Sequence, residues 1–262
     1  MCAICGQFGP LTKEHVAPRK AFNDGSVLFE KMEGALPSGE VRWRDRTLQG
    51  GNWVRTLCDK CNTLTGHWYG QAYVEFSRRC AEACERVKRP EESGTASFRI
   101  APSRVAKEAL AIFCSACGPS LASEHVGLQS LILDPKVQGL LTPLRLYAYL
   151  CLGGKHEKGA VVARSSGKAR VVNLPTGAFK IVAEFAYWPV GWVLSFTDQR
   201  LPLLAEVTHW LSDYGYEDTP ETVHVSLVAH EINTALPLDY RTREQVEKEI
   251  ETHADSGRVK SA

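Results

Sequence analysis

The pattern of apolar and polar positions changes near residue 62. Up to about Leu57 the chain lacks helical periodicity and is rich in Gly, Pro and Asn, which predicts loops and short strands. From Asn62 onward, apolar residues recur at three- and four-residue intervals until Pro90; they are Leu64, Trp68, Tyr69, Tyr73, Phe76 and Cys80. This stripe predicts a long helix that begins next to Cys61 and ends before the proline.

The pattern changes again after residue 90. Residues 91–97, EESGTAS, have the composition of a linker and divide the chain into 1–91 and 92–262. Apolar periodicity then predicts an amphipathic helix with Ser103 as its N-cap, followed by a second helix interrupted by Gly127. Runs rich in β-branched and aromatic residues come next; they are LRLYAYLCL, AVVARSS, ARVVNL, FKIVAEFAYW and GWVLSFTD. They predict a mainly antiparallel sheet.

Three further segments complete the pattern. LPLLAEVTHWLSDYG is typical of a helix, TVHVSLVAHEI of a strand, and TREQVEKEIETH of a charged helix before a frayed tail. Helices and strands are therefore expected to occur in separate stretches of residues 92–262, as in an α+β domain.

Composition agrees with a globular protein that is not embedded in a membrane. The 262 residues are 44% hydrophobic and 23% charged, enough to bury a sizeable core. No run approaches the roughly 18 apolar residues of a membrane helix, and the first residues lack the apolar core of a secretory signal. A cytoplasmic location is expected.

The overall charge of +1 conceals an asymmetry. Residues 1–89 contain 14 Lys and Arg against 10 Asp and Glu, a net +4, which leaves 17 against 20, a net −3, for residues 90–262. A basic N-terminal third is compatible with a polyanionic partner, but it indicates nucleic-acid binding only beside a suitable site.

Four of the nine cysteines form two C-x-x-C pairs, Cys2 with Cys5 and Cys58 with Cys61. Four thiolates are the ligand set of a closed tetrahedral zinc site, so we predict structural zinc. A redox pair would need only one such motif, and idle cysteines remain the other alternative. The 52 residues between the pairs would form an insertion clamped by the metal.

The candidate chemistry lies inside and just after this insertion. Glu14-His15 is followed by Val and, two residues later, by Pro, while Asn62 comes directly after the last cysteine of the second pair. A lone Glu-His dipeptide would mean little, because a single histidine is more often an ordinary surface or core residue. Over residues 2–70, however, the order of these elements resembles the zinc-containing HNH endonucleases, a branch of the ββα-metal nucleases.

That resemblance implies a fold, a function and a set of roles. It implies a zinc-stapled ββα-metal module at 1–91, in which His15 is the general base and Glu14 and Asn62 bind a catalytic Mg²⁺ or Mn²⁺. Histidine suits proton transfer at neutral pH, and carboxylate and amide oxygens suit a hard cation. The sequence departs from the family in having Glu14 for the more frequent Asp, and Trp53 where many members have an Asn that orients the base; Asn52 lies one residue earlier.

Basic residues near this core are the expected contacts to DNA. They are Arg19, Lys20, Arg42, Arg44 and Arg55, with Trp43 among them, and His67 as a phosphate contact or extra ligand. Charged loops are often merely solvated, and for His67 an ordinary surface histidine is the favoured interpretation.

A second stretch, CSACGPSLASEHVG, echoes the first motif. It contains Cys114, Cys117, Glu124 and His125, but no later C-x-x-C-Asn follows it. We therefore interpret these cysteines, and likewise Cys80 and Cys84, as residues on buried helix faces.

The leading hypothesis is a metal-dependent HNH endonuclease that hydrolyses DNA, suited to phage defence or a mobile element. RNA as the substrate stays open, since the 2′-hydroxyl contacts that distinguish it leave no sequence signal. The alternative is a zinc-dependent binding module without catalysis. Residues 92–262 would serve specificity, sensing, dimerisation or docking of a partner protein.

Overall fold

The computed structural model of the chain describes residues 1–35, 41–87, 93–139, 143–152, 161–165, 170–173, 179–198, 200–201, 204–231, 244–245 and 248. Within these ranges, only the backbone is described at 28–35, 41–46, 93–97, 161–165, 170–173 and 179–181. The charged helix predicted in TREQVEKEIETH and the tail after it lie outside the described residues, apart from 244–245 and 248.

Helices and strands occur in both halves of the chain. The strands are β1 (Leu11–His15), β2 (Val27–Ala35), β3 (Val41–Leu48), β4 (Trp53–Cys58), β5 (Ser93–Ile100), β6 (Arg145–Leu152), β7 (Val161–Ser165), β8 (Arg170–Asn173), β9 (Phe179–Tyr187), β10 (Val190–Ser195), β11 (Ala205–Glu206) and β12 (Glu221–Glu231). The helices are α1 (Asp59–Thr65), α2 (Gln71–Cys84), α3 (Pro102–Cys117), α4 (Pro119–Glu124) and α5 (Leu128–Leu133), with a π-helical turn at Gly66–Gly70 and a 3₁₀ turn at Thr208–Leu211. Within the described ranges, no helix has the length and apolar content needed to cross a bilayer.

Ten of the strands form one sheet. Its order is β3-β2-β7-β9-β10-β6-β12-β5, with β11 paired to β6 and β8 paired to β9. The pairings are antiparallel except β2 with β7 and β12 with β6. An α+β fold with a mainly antiparallel sheet is thus confirmed. Strands β1 and β4 form a separate antiparallel pair.

The core lies between this sheet and helices α2 and α3. Phe76 of α2 is its aromatic centre, with ring centroids 5.5 Å from Phe98, 5.7 Å from Trp192 and 5.8 Å from Trp210. One cluster of buried apolar side chains extends from Cys2 through both helices to β12. Side chains on both sides of residue 92 therefore share a core, while the division into two domains stays a prediction.

Local predictions failed where tertiary pairing decided the structure. The predicted linker is partly strand, because Ser93–Ile100 pairs along its length with β12, which satisfies its backbone groups despite a weak composition. The predicted helix in LPLLAEVTHWLSDYG is the short strand β11 and a 3₁₀ turn. There the hydroxyl of Thr208 accepts a hydrogen bond from the backbone N–H of Leu146, which ties the turn to β6.

Helix ends also differ from the predicted ones. Helical structure begins at Asp59, with Cys58 as the N-cap of α1, and passes through the π-helical turn to Cys84. Ala101, not Ser103, is the N-cap of α3. Pro102 follows it because proline lacks the N–H that the first helical turn leaves unsatisfied.

Candidate functional site

Four cysteine sulfurs meet between the N-terminal loop and the start of α1. The Sγ atoms of Cys2, Cys5, Cys58 and Cys61 all lie within 4.8 Å of one another, and those of Cys5 and Cys58 are 3.8 Å apart. Zinc bonded tetrahedrally to sulfurs at about 2.3 Å would hold them about 3.8 Å apart. The donor set and its spacing fit the predicted structural zinc ion.

Backbone hydrogen bonds support this sulfur cluster. The N–H of Cys58 donates to the Sγ of Cys2 over 3.3 Å, an interaction that stabilises a thiolate. Burial opposes ionisation of the Cys2 thiol, but hydrogen bonds from backbone N–H groups, that of Cys58 foremost, outweigh it and lower its pKa to about 7. Burial, with the neighbouring sulfurs, raises the pKa of Cys61, and burial raises that of Cys5, so a bound cation is needed for all four sulfurs to be ionised together.

Strands β1 and β4 join the sulfur cluster to the Glu-His motif. Thr12 lies opposite Leu57, but Glu14 lies opposite Val54, so the register shifts by one residue between them. This bulge takes up one residue of β4. His15 lies opposite Trp53, and Asn52 is the residue before that position.

Glu14 lies against the protein interior at the end of β1. Its side chain is buried and accepts a hydrogen bond from the hydroxyl of Thr56. Burial raises its pKa to about 7, against the opposing effect of hydrogen bonds from Thr56 and Ser115. At neutral pH the carboxyl group is consequently close to its titration midpoint.

His15, the last residue of β1, is oriented by a carbonyl group. Its Nε2 lies 3.2 Å from the carbonyl oxygen of Gly50; because a carbonyl only accepts, Nε2 carries the proton and Nδ1 is the basic nitrogen. Burial lowers the pKa of His15, helped by the charges of Lys13 and Arg19 and opposed by the hydrogen bond with Gly50. This shift favours the neutral imidazole, the form that is able to accept a proton.

Asn62 ties the start of α1 to β1. Its Nδ2 donates to the hydroxyl of Thr12 over 3.1 Å and to the carbonyl oxygen of Lys13 over 3.3 Å. Its carbonyl oxygen Oδ1, the atom able to ligate a hard cation, takes part in neither bond. These hydrogen bonds therefore fix Asn62 and leave its Oδ1 able to ligate a cation.

One cavity of about 390 Å³ is lined by Glu14, His15 and Asn62 together. Lys13, Arg19 and Lys20 also line it and are exposed, which gives its mouth a positive charge. The cavity therefore combines a base, an acid and an amide with a basic entrance.

Part of the cavity wall comes from α3. Ala111 and Ile112 lie three and four residues after Glu108, and Ser115 lies four and three residues after them, so the four lie on a single face of this helix. The site is consequently assembled from elements on both sides of residue 92.

Two of the remaining predicted contacts, Arg55 and His67, are not among the described residues that line the cavity. Arg55 and His67 are exposed on β4 and the π-helical turn. Arg42 and Arg44 lie on β3, where their side chains, like that of Trp43, are outside the described residues.

Two residues of this region were missed by the sequence-based prediction. Asn23 is fully buried, and its Nδ2 donates to the carbonyl oxygens of Val16, Ala17 and Asn52. Its Oδ1 accepts from the N–H of Asn52 at 2.6 Å. Asn23 thereby joins the segment after β1 to the loop that presents a carbonyl group to His15, and no motif spacing signals it.

Glu108 is the second missed residue. It lies in the middle of α3, where nearly every residue from 102 to 115 is buried, and burial followed by the nearby Glu14 raises its pKa to about 8. A glutamate within an apolar helical run is the sequence signal that would have revealed it, since buried carboxyl groups require partners.

The cysteines of the echoing motif lie on a buried helix face, as expected. Cys114 is fully buried in the core and Cys117 packs against it, while Glu124 is exposed. Cys80 and Cys84 occupy similar positions on α2.

The structure thus contains a sulfur cluster suited to zinc and an adjoining cavity lined by acid, base and amide groups. Comparisons of the chain with protein-family models, with curated proteins and with solved structures gave no match. The chemistry of the cavity is therefore the basis for assigning a function.

Proposed function

We propose that this protein is a metal-dependent HNH endonuclease that hydrolyses DNA phosphodiester bonds. The observation that carries the proposal is the shared cavity of Glu14, His15 and Asn62 beside the four-cysteine cluster. An antiparallel strand pair that leads directly into a helix, β1 with β4 and then α1, agrees with a ββα-metal module.

The zinc ion would be structural and would not take part in the reaction. Cys58 is the N-cap residue of α1, and Cys61 lies in the first turn of this helix. A metal bound to both sulfurs therefore fixes the start of the helix. Asn62 is the next residue and is bonded to β1. Zinc therefore controls the position of the amide relative to Glu14.

The donor set of the cavity fits a catalytic Mg²⁺ or Mn²⁺. The carboxylate of Glu14 and the Oδ1 of Asn62 are hard oxygen ligands, which these cations prefer to sulfur. When bound, such a cation stabilises the negative charge that develops on the phosphate and the leaving oxygen.

His15 would act as the general base. With its Nε2–H held by Gly50, its Nδ1 accepts a proton from a water molecule as the water oxygen forms a bond to phosphorus. The bond between phosphorus and the 3′-oxygen breaks, and that oxygen takes a proton from solvent. The products are a 5′-phosphate and a 3′-hydroxyl end.

The basic mouth of the cavity would hold the DNA backbone. Arg19 and Lys20 are exposed beside His15, where cations neutralise phosphates. Next to them the Nζ of Lys13 lies 4.4 Å from the ring centre of Trp53, whose side chain is 38% exposed. Such an aromatic surface suits stacking with an unpaired base.

Cleavage of supercoiled plasmid in the presence of Mg²⁺ or Mn²⁺ tests the proposal. We expect His15→Ala to lower the rate at least 100-fold, the typical contribution of a general base, with zinc content and unfolding temperature unchanged. His125→Ala is the matched control, since it removes the histidine of the echoing motif and should cleave normally.

An active His15→Ala variant would remove the general base from the mechanism. A wild-type protein that binds DNA but never cleaves it, with either cation, would instead favour the alternative of a zinc-dependent binding module. Parallel reactions on single-stranded DNA and RNA would decide which nucleic acid is the substrate.

A further inference from the structure

Glu108 has a carboxyl oxygen whose burial is unexplained. Its side chain is only 7% exposed, and its Oε2 is fully buried without a hydrogen-bond partner among the described residues. Leaving such an atom unpaired destabilises the folded protein, because the atom loses its bonds to water and gains none in return. The position therefore points to a partner that the described residues do not supply.

Nearby positive side chains of the chain do not provide that partner. The neighbouring Lys107 is also buried, but its Nζ donates to the carbonyl oxygens of Asp134, Pro135 and Val137 at 2.7–3.0 Å. Lys13, Arg19 and Lys20 are exposed at the mouth of the cavity. Among the described residues, no ion pair involves Glu108.

The same cavity brings a second buried carboxyl group close to the first. Glu14 reaches it from β1 and Glu108 from α3, and each raises the cost of ionising the other by repulsion. Two buried carboxylates that face one cavity are stabilised by a divalent cation between them. Asn62 lines this cavity as well and offers a neutral oxygen.

We propose that Glu108 is a ligand of the divalent cation in this cavity, together with Glu14 and Asn62. This inference rests on the proposed function, because it concerns the same cation. Mg²⁺ is commonly held by one or two carboxylates and keeps other positions for water and phosphate oxygens. Two carboxylates balance its charge in a buried site, whereas one leaves a net positive charge.

The inference gives residues 92–262 a direct part in the site. Glu108 belongs to α3, beyond the predicted boundary, whereas Glu14 and Asn62 belong to the N-terminal module. The cation site is therefore composite, and the second half of the chain completes it.

Binding of Mn²⁺ to the full-length, zinc-loaded protein tests this assignment without a cleavage assay. Electron paramagnetic resonance of free Mn²⁺, with calorimetry, gives its affinity for wild type, Glu108→Gln and Glu14→Gln. We expect each glutamine variant to bind Mn²⁺ at least tenfold more weakly than wild type. Glu124→Gln, an exposed glutamate on α4, should bind as wild type does, and all four proteins should contain equal zinc.

Other results would overturn the assignment. Normal Mn²⁺ affinity in Glu108→Gln beside a loss in Glu14→Gln would mean that Glu108 only shares a proton with its neighbour. Absence of Mn²⁺ binding by wild type would refute the cation site as a whole. If Glu108→Gln no longer binds zinc or no longer folds, Glu108→Asp is tested in its place. Its carboxylate is one methylene shorter, so Mn²⁺ must bind more weakly to this variant if residue 108 is a ligand.

Plasmid cleavage by the same wild-type preparation separates this inference from the proposed function. Cleavage that persists while Glu108→Gln binds Mn²⁺ normally refutes only the role of Glu108. If the protein binds Mn²⁺ through both glutamates yet cleaves no nucleic acid, the proposed cation site is supported and the proposed nuclease activity is refuted.

Discussion

A single buried asparagine governs the surroundings of His15. The amide of Asn23 joins two loops by four hydrogen bonds. Gly51 lies against it with a φ of +88°, and a Cβ atom there would be 2.2 Å from the carbonyl oxygen of Asn23. Only glycine fits so close to Asn23 in that conformation. The adjacent Gly50 is thereby held where its carbonyl oxygen accepts from His15.

The two buried glutamates should make stability depend on pH when no divalent cation is bound. The pKa of Glu108 in the folded protein is about 8, against 4.5 when it is free in water. Between these values the folded state holds more protons than the unfolded state, so the free energy of unfolding falls as pH rises. In zinc-loaded protein without Mg²⁺, Glu108→Gln should therefore match wild type near pH 5 and exceed its stability near pH 8, by on the order of 3 kcal/mol.

Urea unfolding of both proteins at the two pH values measures this difference. Glu124→Gln serves as the control, since an exposed carboxyl group is expected to have little effect at either pH. Equal stabilities of wild type and Glu108→Gln near pH 8 would mean that burial does not penalise the charged form of Glu108.

Site residues that belong to a motif of characteristic spacing could be predicted from the sequence. Those defined only by their contacts in the folded chain could not. Cys2, Cys5, Cys58 and Cys61 meet as predicted because two C-x-x-C motifs carry the geometry of a metal site in their sequence. Asn23 and Glu108 act through partners distant in the chain. Their environments depend on the packing of loops and of α3, which apolar periodicity does not specify.

Elements β1, β4 and α1 are too short to be stable alone. A two-stranded sheet is marginal in water, and α1 contains only seven residues. The four sulfurs connect the N-terminal loop to the junction of β4 and α1. We infer that a metal bound there supplies much of the stability of these elements.

Replacing one sulfur ligand should therefore unfold this part of the chain. For Cys58→Ser we expect loss of bound zinc and of more than about 5 kcal/mol of stability, since structural zinc binding is part of the folding free energy. Cys117→Ser is the matched control, because it alters a partly buried cysteine of the echoing motif outside the sulfur cluster. Elemental analysis and thermal unfolding report the two quantities; unchanged zinc content in Cys58→Ser would exclude that residue as a ligand.

At the level of elements, prediction succeeded where the local pattern was strong. Strands β6, β9 and β10 lie where the apolar pattern predicts them. The single helix predicted with an interruption at Gly127 is instead two helices, α4 and α5, separated by residues 125–127. Strand β5 was missed because its Gly and Ser residues have little strand preference, and its pairing with β12 comes from the far end of the chain.

The two halves of the molecule are joined through contacts at several places. Strand β2 pairs with β7, which adds the insertion between the cysteine pairs to the large sheet. The ring of Phe22 packs against Trp188 with centroids 4.6 Å apart, and the hydroxyl of Tyr187 donates to the carbonyl oxygen of Phe22. The loop next to Asn23 is consequently supported by the second half of the chain.

These contacts predict that residues 1–91 do not fold by themselves. Tyr73 and Phe76 of α2 are fully buried in the intact protein, and the partners of both include Trp192. Without the second half, these large apolar surfaces would face water, at a cost of about 2 kcal/mol for each side chain. We expect the zinc-loaded fragment to give a poorly dispersed amide NMR spectrum, and co-expression with residues 92–262 to restore both dispersion and Mn²⁺ binding. A fragment that alone shows a dispersed spectrum and cooperative thermal unfolding would instead support an autonomous nuclease module, with the boundary near residue 92 as the sequence predicts.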